Sequence, residues 1–293
     1  MQYAFFPGCV SRGGCPELYP SVLAVADKLN IELVELTGAS CTGAGALQES
    51  NPLLGDTLNA RTFAMAEKLG LPIMTICSTC QGVMSQAIVK LRNLEYRAKI
   101  NEILAEEGLE YTGSVSVKHM LWIIVEDIGL ETLKTHVVNP LTDLYLAPFY
   151  GCYIVRPSAA LDYEENPLRK ESLELVIEAI GATSVDFSGK TRCCGFPILT
   201  INEKASLAMV GKHTLEAQDQ GADAMVTPCP LCHLNLDGFQ SKAAKQIGQQ
   251  INLPILHLPQ AIGMAMGLDS GQMLMGRHLV PTYDVAMKAG VKL

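Results

Sequence analysis

The feature that most restricts the fold of this chain is a pattern of cysteines that occurs twice. In each half, a Gly-Cys pair is followed by a second cysteine site and then by a Cys-x-x-Cys. The spacing agrees, because 35 positions separate Thr42 from Cys77 in the first half and Cys194 from Cys229 in the second. This agreement indicates an internal duplication. In its register, Thr42 stands where the second half has Cys194.

Short apolar runs lead into these cysteine sites, and helical patterns lie between them. The runs are residues 3–7, 31–36 and 72–77 in the first half and 144–150, 183–187 and 223–229 in the second. Segments 115–129 and 253–267 predict a closing strand and helix for each half. The alternation predicts the α/β class, with two pseudo-symmetric Rossmann-like domains built on mostly parallel sheets. We place the domains at 1–135 and 136–293, with the cysteines beyond the carboxyl ends of the strands.

Composition limits the environment and the partners. The chain has 293 residues, 48% of them apolar, which suits two domains with filled interiors. Its net charge is −8 and it has no run of Lys or Arg, so we do not expect a nucleic acid partner. No apolar run reaches the roughly 18–20 residues of a membrane span, and the N-terminus does not resemble a signal peptide. We expect a cytoplasmic protein that could associate with a membrane through a complex. In a reducing compartment its ten cysteines would remain thiols.

The cysteines are placed as ligands of a metal or an iron–sulfur cluster. A Cys-x-x-Cys at a strand-to-helix turn supplies two sulfurs on one side, and the helix amides lower their pKa. Five thiolates are too many for zinc or an ordinary cubane, which take four, whereas adjacent cysteines can hold a larger cluster at two irons. Four thiolates suit a cubane, another cluster or zinc. The second half offers five, Cys152, Cys193, Cys194, Cys229 and Cys232, and the first half offers four, Cys9, Cys41, Cys77 and Cys80.

The Gly-Cys, Cys-Cys-Gly and Cys-x-x-Cys elements, repeated over essentially the whole chain, resemble the cysteine-rich CCG family. Its best known member is the B subunit of methanogen heterodisulfide reductase. A complete set in that family implies a noncubane [4Fe–4S] cluster that binds and cleaves a disulfide. The resemblance therefore implies this cluster in the second half, whereas Thr42 departs from the pattern in the first. The segments "SCTGAG" (40–45) and "TICSTCQGVM" (75–84) are most similar to the B1 subunit of bacterial sulfur-oxidising, heterodisulfide-reductase-like complexes.

The resemblance implies an oxidoreductase that acts on a disulfide or persulfide at the second-half cluster. Cys193, Cys194 and Cys232 are the candidate catalytic ligands, and the first-half cluster would relay electrons. The implied partners are a ferredoxin-like C subunit and a flavoprotein A subunit, with a lipoate-carrying protein as one candidate sulfur donor. Two alternatives remain open. One is an electron-transfer CCG subunit of a succinate or fumarate reductase, and the other is a zinc-binding scaffold.

Five residues outside the ligand sets have open roles. Cys15 either joins the first-half cluster or is a partly buried thiol at a helix start. Thr42 either bonds a cluster sulfide or caps a turn. His119 and His257 occupy equivalent places, which favours a shared structural role. His233, directly after the second Cys-x-x-Cys, either donates to a cluster sulfur, moves protons or caps a helix.

Overall fold

The computed structural model describes residues 1–291, which form two four-stranded sheets. The strands are β1 (Gln2–Phe6), β2 (Glu32–Glu35), β3 (Ile73–Thr75), β4 (Val117–His119), β5 (Tyr145–Pro148), β6 (Thr183–Ser184), β7 (Ala224–Thr227) and β8 (Ile255–His257). The strand orders are β2-β1-β3-β4 and β6-β5-β7-β8, and every neighbouring pair is parallel. The same topology therefore occurs twice, which confirms the predicted α/β class and the duplication.

Helices connect the strands and cover both sheets. Those of the first half are α1 (Val10–Gly13), α2 (Leu18–Lys28), α3 (Ala46–Ser50), α4 (Pro52–Leu69), α5 (Ser78–Leu91), α6 (Leu94–Leu104), α7 (Met120–Trp122) and α8 (Leu130–Thr135). Those of the second half are α9 (Ser158–Leu161), α10 (Pro167–Lys170), α11 (Ser172–Ala179), α12 (Glu203–Asp219), α13 (Pro230–Gly238), α14 (Gln240–Ile247), α15 (Leu258–Ala265) and α16 (Tyr283–Lys288). Short 3₁₀ turns lie at Ala105–Glu107, Phe196–Ile198 and Met275–Arg277, and a π-helix lies at Ile123–Ile128. Within residues 1–291, no helix is both long and apolar enough to cross a membrane.

The sequence explains the central strands and the long helices. Strands β3 and β7 are buried throughout, as expected for parallel strands covered on both faces. Asn51 caps α4 by accepting a hydrogen bond from the amide of Leu54, and Asn202 caps α12 in the same way through Ala205. These two helices follow the second cysteine site of each half, so even the caps are duplicated.

The two halves share their apolar interior. One buried cluster combines Phe5 from the first sheet with Leu146 and Val226 from the second. The other combines Phe6 with Phe149 in the equivalent position. Because each cluster draws side chains from both sheets, burial of apolar surface stabilises the halves together. The domain boundary at 135/136 lies at the end of α8 and stays a prediction.

Candidate metal centre

All nine predicted ligand cysteines lie just beyond the carboxyl ends of strands. In the first half they follow β1, β2 and β3, and in the second they follow β5, β6 and β7. Each Cys-x-x-Cys spans a strand-to-helix turn, because Cys77 and Cys229 are the residues directly before α5 and α13. The fold therefore brings three cysteine loops together at one edge of each sheet.

The glycine before the first cysteine of each half is required by the packing of the sulfurs. Gly8 and Gly151 have φ angles of +75° and +72°, a backbone conformation that other residues rarely adopt. A Cβ on Gly8 would lie 3.3 Å from Cys80 Sγ, and one on Gly151 would lie 2.8 Å from Cys232 Sγ. Glycine thus lets the first loop approach the last cysteine of the same half.

The five second-half thiols form one continuous group. Cys193 neighbours Cys152 and Cys194, Cys194 neighbours Cys232, and Cys232 neighbours Cys229, each pair being close enough for one thiol to shift the pKa of the other. A cavity of about 270 Å³ borders four of these residues, and its remaining wall is largely apolar. The apolar wall residues include Tyr153, Phe196, Leu199 and Leu231. The arrangement offers several sulfur donors around a space that a metal cluster would fill.

The ionisation of these thiols fits a metal cluster. A hydrogen bond to Cys193 raises the pKa of Cys152 and of Cys194, and burial raises both further. Hydrogen bonds from these two thiols lower the pKa of Cys193. In the protein alone, only part of the group therefore ionises. Five adjacent thiolates become stable when positive metal ions offset their mutual repulsion and their desolvation.

The first-half group is smaller and more open. Cys9 Sγ lies 3.7 Å from Cys41 Sγ, and both residues are exposed. Burial, with the neighbouring Cys41 thiol as the next cause, raises the pKa of Cys9 to about 11. Cys77 and Cys80 are both buried and neighbour each other. Four converging sulfurs fit a four-ligand centre near the surface.

Thr42 points toward the first-half sulfurs. Its Oγ1 lies 3.9 Å from Cys80 Sγ, while Asn59 donates a hydrogen bond to its backbone carbonyl at 3.0 Å. In the second half, the equivalent Cys194 contacts Cys232, the counterpart of Cys80. The register deduced from spacing therefore agrees with the geometry. A hydroxyl occupies the place of the fifth sulfur.

The two cysteine groups touch each other, which sequence reasoning missed. Cys77 and Cys229 are close enough to shift each other's pKa, and Thr79 Oγ1 lies 3.5 Å from Cys229 Sγ. The spacing of cysteines within each half gives no information about contacts between the halves. The sequence alone therefore could not predict this contact.

Cys15 lies away from the first-half sulfurs. Its side chain is fully buried and donates a hydrogen bond to the carbonyl of Pro230, inside the second Cys-x-x-Cys, at 3.4 Å. Its Sγ also lies 3.7 Å from His233 Nδ1. Cys15 is therefore a buried thiol that supports the second-half loop. One donor atom from each of four buried residues lies within 4.8 Å of the others, namely Cys15, Glu17, His233 and His257.

Hydrogen bonds account for this buried group of four without a metal. A backbone amide donates to the side-chain oxygen of Gln260, and the side-chain nitrogen of Gln260 donates to a backbone carbonyl. These bonds fix which way the side-chain amide points, so its nitrogen also donates to His278 Nε2 at 2.9 Å. Burial lowers the pKa of His278 and His233, so both rings are neutral. His278 then donates from Nδ1 to His233 Nε2 at 3.1 Å, which leaves the proton of His233 on Nδ1, facing Cys15. A metal would need that nitrogen unprotonated.

His119 anchors the second-half loop from the first half. Its Nδ1 accepts the amide proton of Leu121 at 3.0 Å, so its Nε2 donates to the carbonyl of Pro228 at 3.0 Å. This agrees with the expected structural role. The equivalent His257 instead bonds Glu17 at 3.0 Å, so the two histidines no longer share their partners.

Comparison with known families adds the decisive observation. A family model described as a cysteine-rich domain, CCG, matches the chain twice, over residues 3–85 and 146–237. The chain belongs to the CCG family. Both matches cover the cysteine loops described above, which confirms the recognition made from their spacing.

Relatives of this CCG protein extend over nearly its full length. It is 35% identical to the 8-methylmenaquinol:fumarate reductase membrane anchor subunit of Wolinella succinogenes, covering 95% of this chain and 97% of the relative. It is 30% identical to the B subunit of the ferredoxin/F420H2-dependent CoB–CoM heterodisulfide reductase of Methanosarcina acetivorans, covering 98% and 96%. It is 32% identical to a protein of Archaeoglobus profundus described as like the heterodisulfide reductase B subunit, covering 92% of each. These relatives support an iron–sulfur oxidoreductase subunit that works with partner subunits.

A solved structure supports the fold of this CCG protein. A hypothetical protein from Helicobacter pylori superposes on 96% of the chain with a TM-score of 0.76 at 18% identity. The chain spans about half of that protein, 52% of its length. At this identity the likeness concerns the fold alone.

Proposed function

We propose that this CCG protein is the iron–sulfur subunit of a heterodisulfide-reductase-like complex. In this proposal, a noncubane [4Fe–4S] cluster on the second-half cysteines converts a disulfide or persulfide substrate. A cluster on the first-half cysteines, a cubane or another type, exchanges electrons with a partner subunit. A ferredoxin-like C subunit and a flavoprotein A subunit are the proposed partners, with a lipoate-carrying protein as a candidate sulfur donor.

One observation carries the proposal, namely the convergence of five second-half thiols, including the adjacent Cys193 and Cys194, beside a cavity of about 270 Å³. A cluster held by these thiols would itself occupy this cavity. Because a cubane takes four thiolates, the fifth thiol favours a larger cluster over a site that only conducts electrons.

The residues around the cavity have separate tasks in this mechanism. Bound there, a noncubane cluster supplies single electrons and iron atoms that bind sulfur. The adjacent thiolates of Cys193 and Cys194, with Cys232, hold such a cluster from two directions. The apolar side chains of Phe196 and Leu231 exclude water from the sulfur substrate and position it against the ligands.

The first half is suited to electron relay. Its exposed Cys9 and Cys41 lie at the surface, where a partner can approach. Its buried Cys77 contacts Cys229 of the second group, which gives a short path between the two centres. Thr42 removes one ligand and leaves four, enough for a cluster that only passes electrons.

The test compares anaerobic EPR spectra of the full chain and two cysteine variants. Cys194→Ala should lose the second-half signal and keep the first-half one. The reciprocal control Cys9→Ala removes an exposed first-half ligand and should keep the second-half signal. Bis(2-hydroxyethyl) disulfide or glutathione persulfide should alter only the signal that depends on Cys194. Equal spectra for the wild type and Cys194→Ala would contradict the assignment.

A second candidate is an electron-transfer subunit of a fumarate or succinate reductase. The 35% identity to the Wolinella succinogenes subunit favours it. On that alternative, neither sulfur compound alters the spectrum. A zinc scaffold would give a colourless protein with zinc and without iron, which metal analysis of the anaerobic preparation detects.

A further inference from the structure

The contact between the two cysteine groups is not symmetric. Thr79 Oγ1 lies 3.5 Å from Cys229 Sγ, and Ser78 donates from Oγ to the carbonyl of Pro228 at 3.4 Å. The duplicated register places Pro230 opposite Ser78 and Leu231 opposite Thr79. Neither Pro230 nor Leu231 has a side-chain donor to return to the first half. The first half therefore gives hydrogen bonds across the interface and receives none at these positions.

The protonation of the sulfur sets the direction of the Thr79 bond. As a cluster ligand Cys229 would be a thiolate, which has no proton to give. Thr79 is therefore the donor. Its side chain is 6% exposed, and within residues 1–291 its hydroxyl makes no other side-chain hydrogen bond.

From this geometry we propose that Thr79 raises the reduction potential of the second-half cluster by donating a hydrogen bond to Cys229 Sγ across the interface between the halves. Reduction adds negative charge to a cluster and its thiolates. A hydrogen bond to a ligand sulfur stabilises that charge more in the reduced state than in the oxidised state. Because Thr79 is only 6% exposed, bulk water has little access to the bond.

The asymmetry gives this bond a functional direction. The side chain opposite Thr79 is Leu231, so Cys77 receives no equivalent hydrogen bond. The Thr79 bond therefore raises the reduction potential of the second-half cluster relative to that of the first-half cluster. This adds to any difference that the two ligand sets produce. Electrons that a reduced flavoprotein or ferredoxin-like partner delivers to the exposed first-half centre would pass to the second-half cluster, where a bound disulfide would take up two electrons and two protons and leave as two thiols. The first half thus acts on the reaction through a side chain that binds no iron.

The inference depends on the proposed function, since it takes Cys229 as a cluster ligand. Iron content and EPR-monitored potentiometric titration with dithionite as reductant test it on the full anaerobic chain without substrate. The signal followed is the one lost in Cys194→Ala. Thr79→Val should keep full iron but shift the midpoint of this signal to a more negative potential. Thr79→Ser, which keeps the hydroxyl, should titrate near the wild type.

Two further variants make the result decisive. Thr75→Val removes a fully buried hydroxyl in β3, two residues before Cys77, that has no hydrogen-bond partner among the described residues, and should leave the midpoint unchanged. Thr79→Ala repeats the loss of hydroxyl with a smaller side chain, in case valine disturbs the packing. An unchanged midpoint in both Thr79→Val and Thr79→Ala overturns the inference and leaves the proposed function intact. Absence of any signal that depends on Cys194 is instead a failure of the proposed function.

Discussion

Replacing Gly82 with alanine should disturb the second-half cluster although Gly82 belongs to the first half. Gly82 lies in α5, two residues after Cys80, and faces the loop that carries Cys152. A Cβ at this position would lie 2.4 Å from the carbonyl oxygen of Tyr153 and 3.0 Å from its ring. The clash involves backbone, so it cannot be relieved by rotating a side chain.

Helix propensity alone predicts that Gly82→Ala stabilises the protein, whereas the contacts of Gly82 predict that it destabilises the protein. Alanine in place of a helix-interior glycine ordinarily stabilises a protein by about 1 kcal/mol. Here Tyr153 must move by about 1 Å to restore ordinary contact, and because the clash involves backbone its cost lies at the upper end of the overpacking range, about 2–3 kcal/mol. We expect a net loss of about 1–2 kcal/mol in the free energy of unfolding, or roughly 2–3 °C in Tm. Cys152 precedes Tyr153 and would move with it.

Anaerobic thermal unfolding at one scan rate, together with EPR, tests this expectation. The control Gly13→Ala places a methyl group where nothing lies within 4 Å, in the short helix α1, and should leave Tm equal or slightly higher. Gly82→Ala should lower Tm and alter the signal that depends on Cys194. A Gly82→Ala protein as stable as the wild type, with an unaltered spectrum, would refute the reasoning.

Two predictions concern Thr42 and His119. Thr42→Cys supplies the fifth first-half thiol, in the place 3.9 Å from Cys80 Sγ, so on a Cys194→Ala background the remaining EPR signal should change. Thr42→Ser should leave that signal as it is, and identical spectra for the two variants would exclude a ligand role at this position. Burial lowers the pKa of His119 to about 4, so the folded protein keeps it neutral while the unfolded chain binds a proton below about pH 6.5. Stability therefore decreases as the pH is lowered, and His119 contributes about 2 kcal/mol of the loss between pH 7 and pH 5. Anaerobic urea unfolding should give a loss smaller by that amount in His119→Gln, and equal losses in both proteins would contradict the assignment.

The repeated features of this protein could be predicted from the sequence. Every predicted strand before a cysteine site is present, and the equivalence of Thr42 and Cys194 holds in space. These features depend on local patterns, because a strand that ends at a Gly-Cys or Cys-x-x-Cys turn is encoded within about ten residues. Parallel topology then fixes which loops meet.

Contacts between the halves could not be predicted. The bond from Thr79 to Cys229, the hydrogen bond from His119 to Pro228 and the burial of Cys15 against Pro230 join residues 109 to 215 positions apart. Their geometry depends on how the two sheets pack, and no pattern within one half contains that information. His233 lies in a buried hydrogen-bonded network with His278 and Cys15, and its position after the second Cys-x-x-Cys does not predict these partners.

The contact between Cys77 and Cys229 also bears on the origin of the protein. These residues are equivalents in the duplication, and equivalent residues touch each other only close to a two-fold axis. A single-copy ancestor would have formed an isologous homodimer there, with each such cysteine facing its own counterpart. In a homodimer every substitution appears on both sides. With both copies in one chain that constraint is absent, so Thr42, Ser78 and Thr79 can differ from the equivalent Cys194, Pro230 and Leu231.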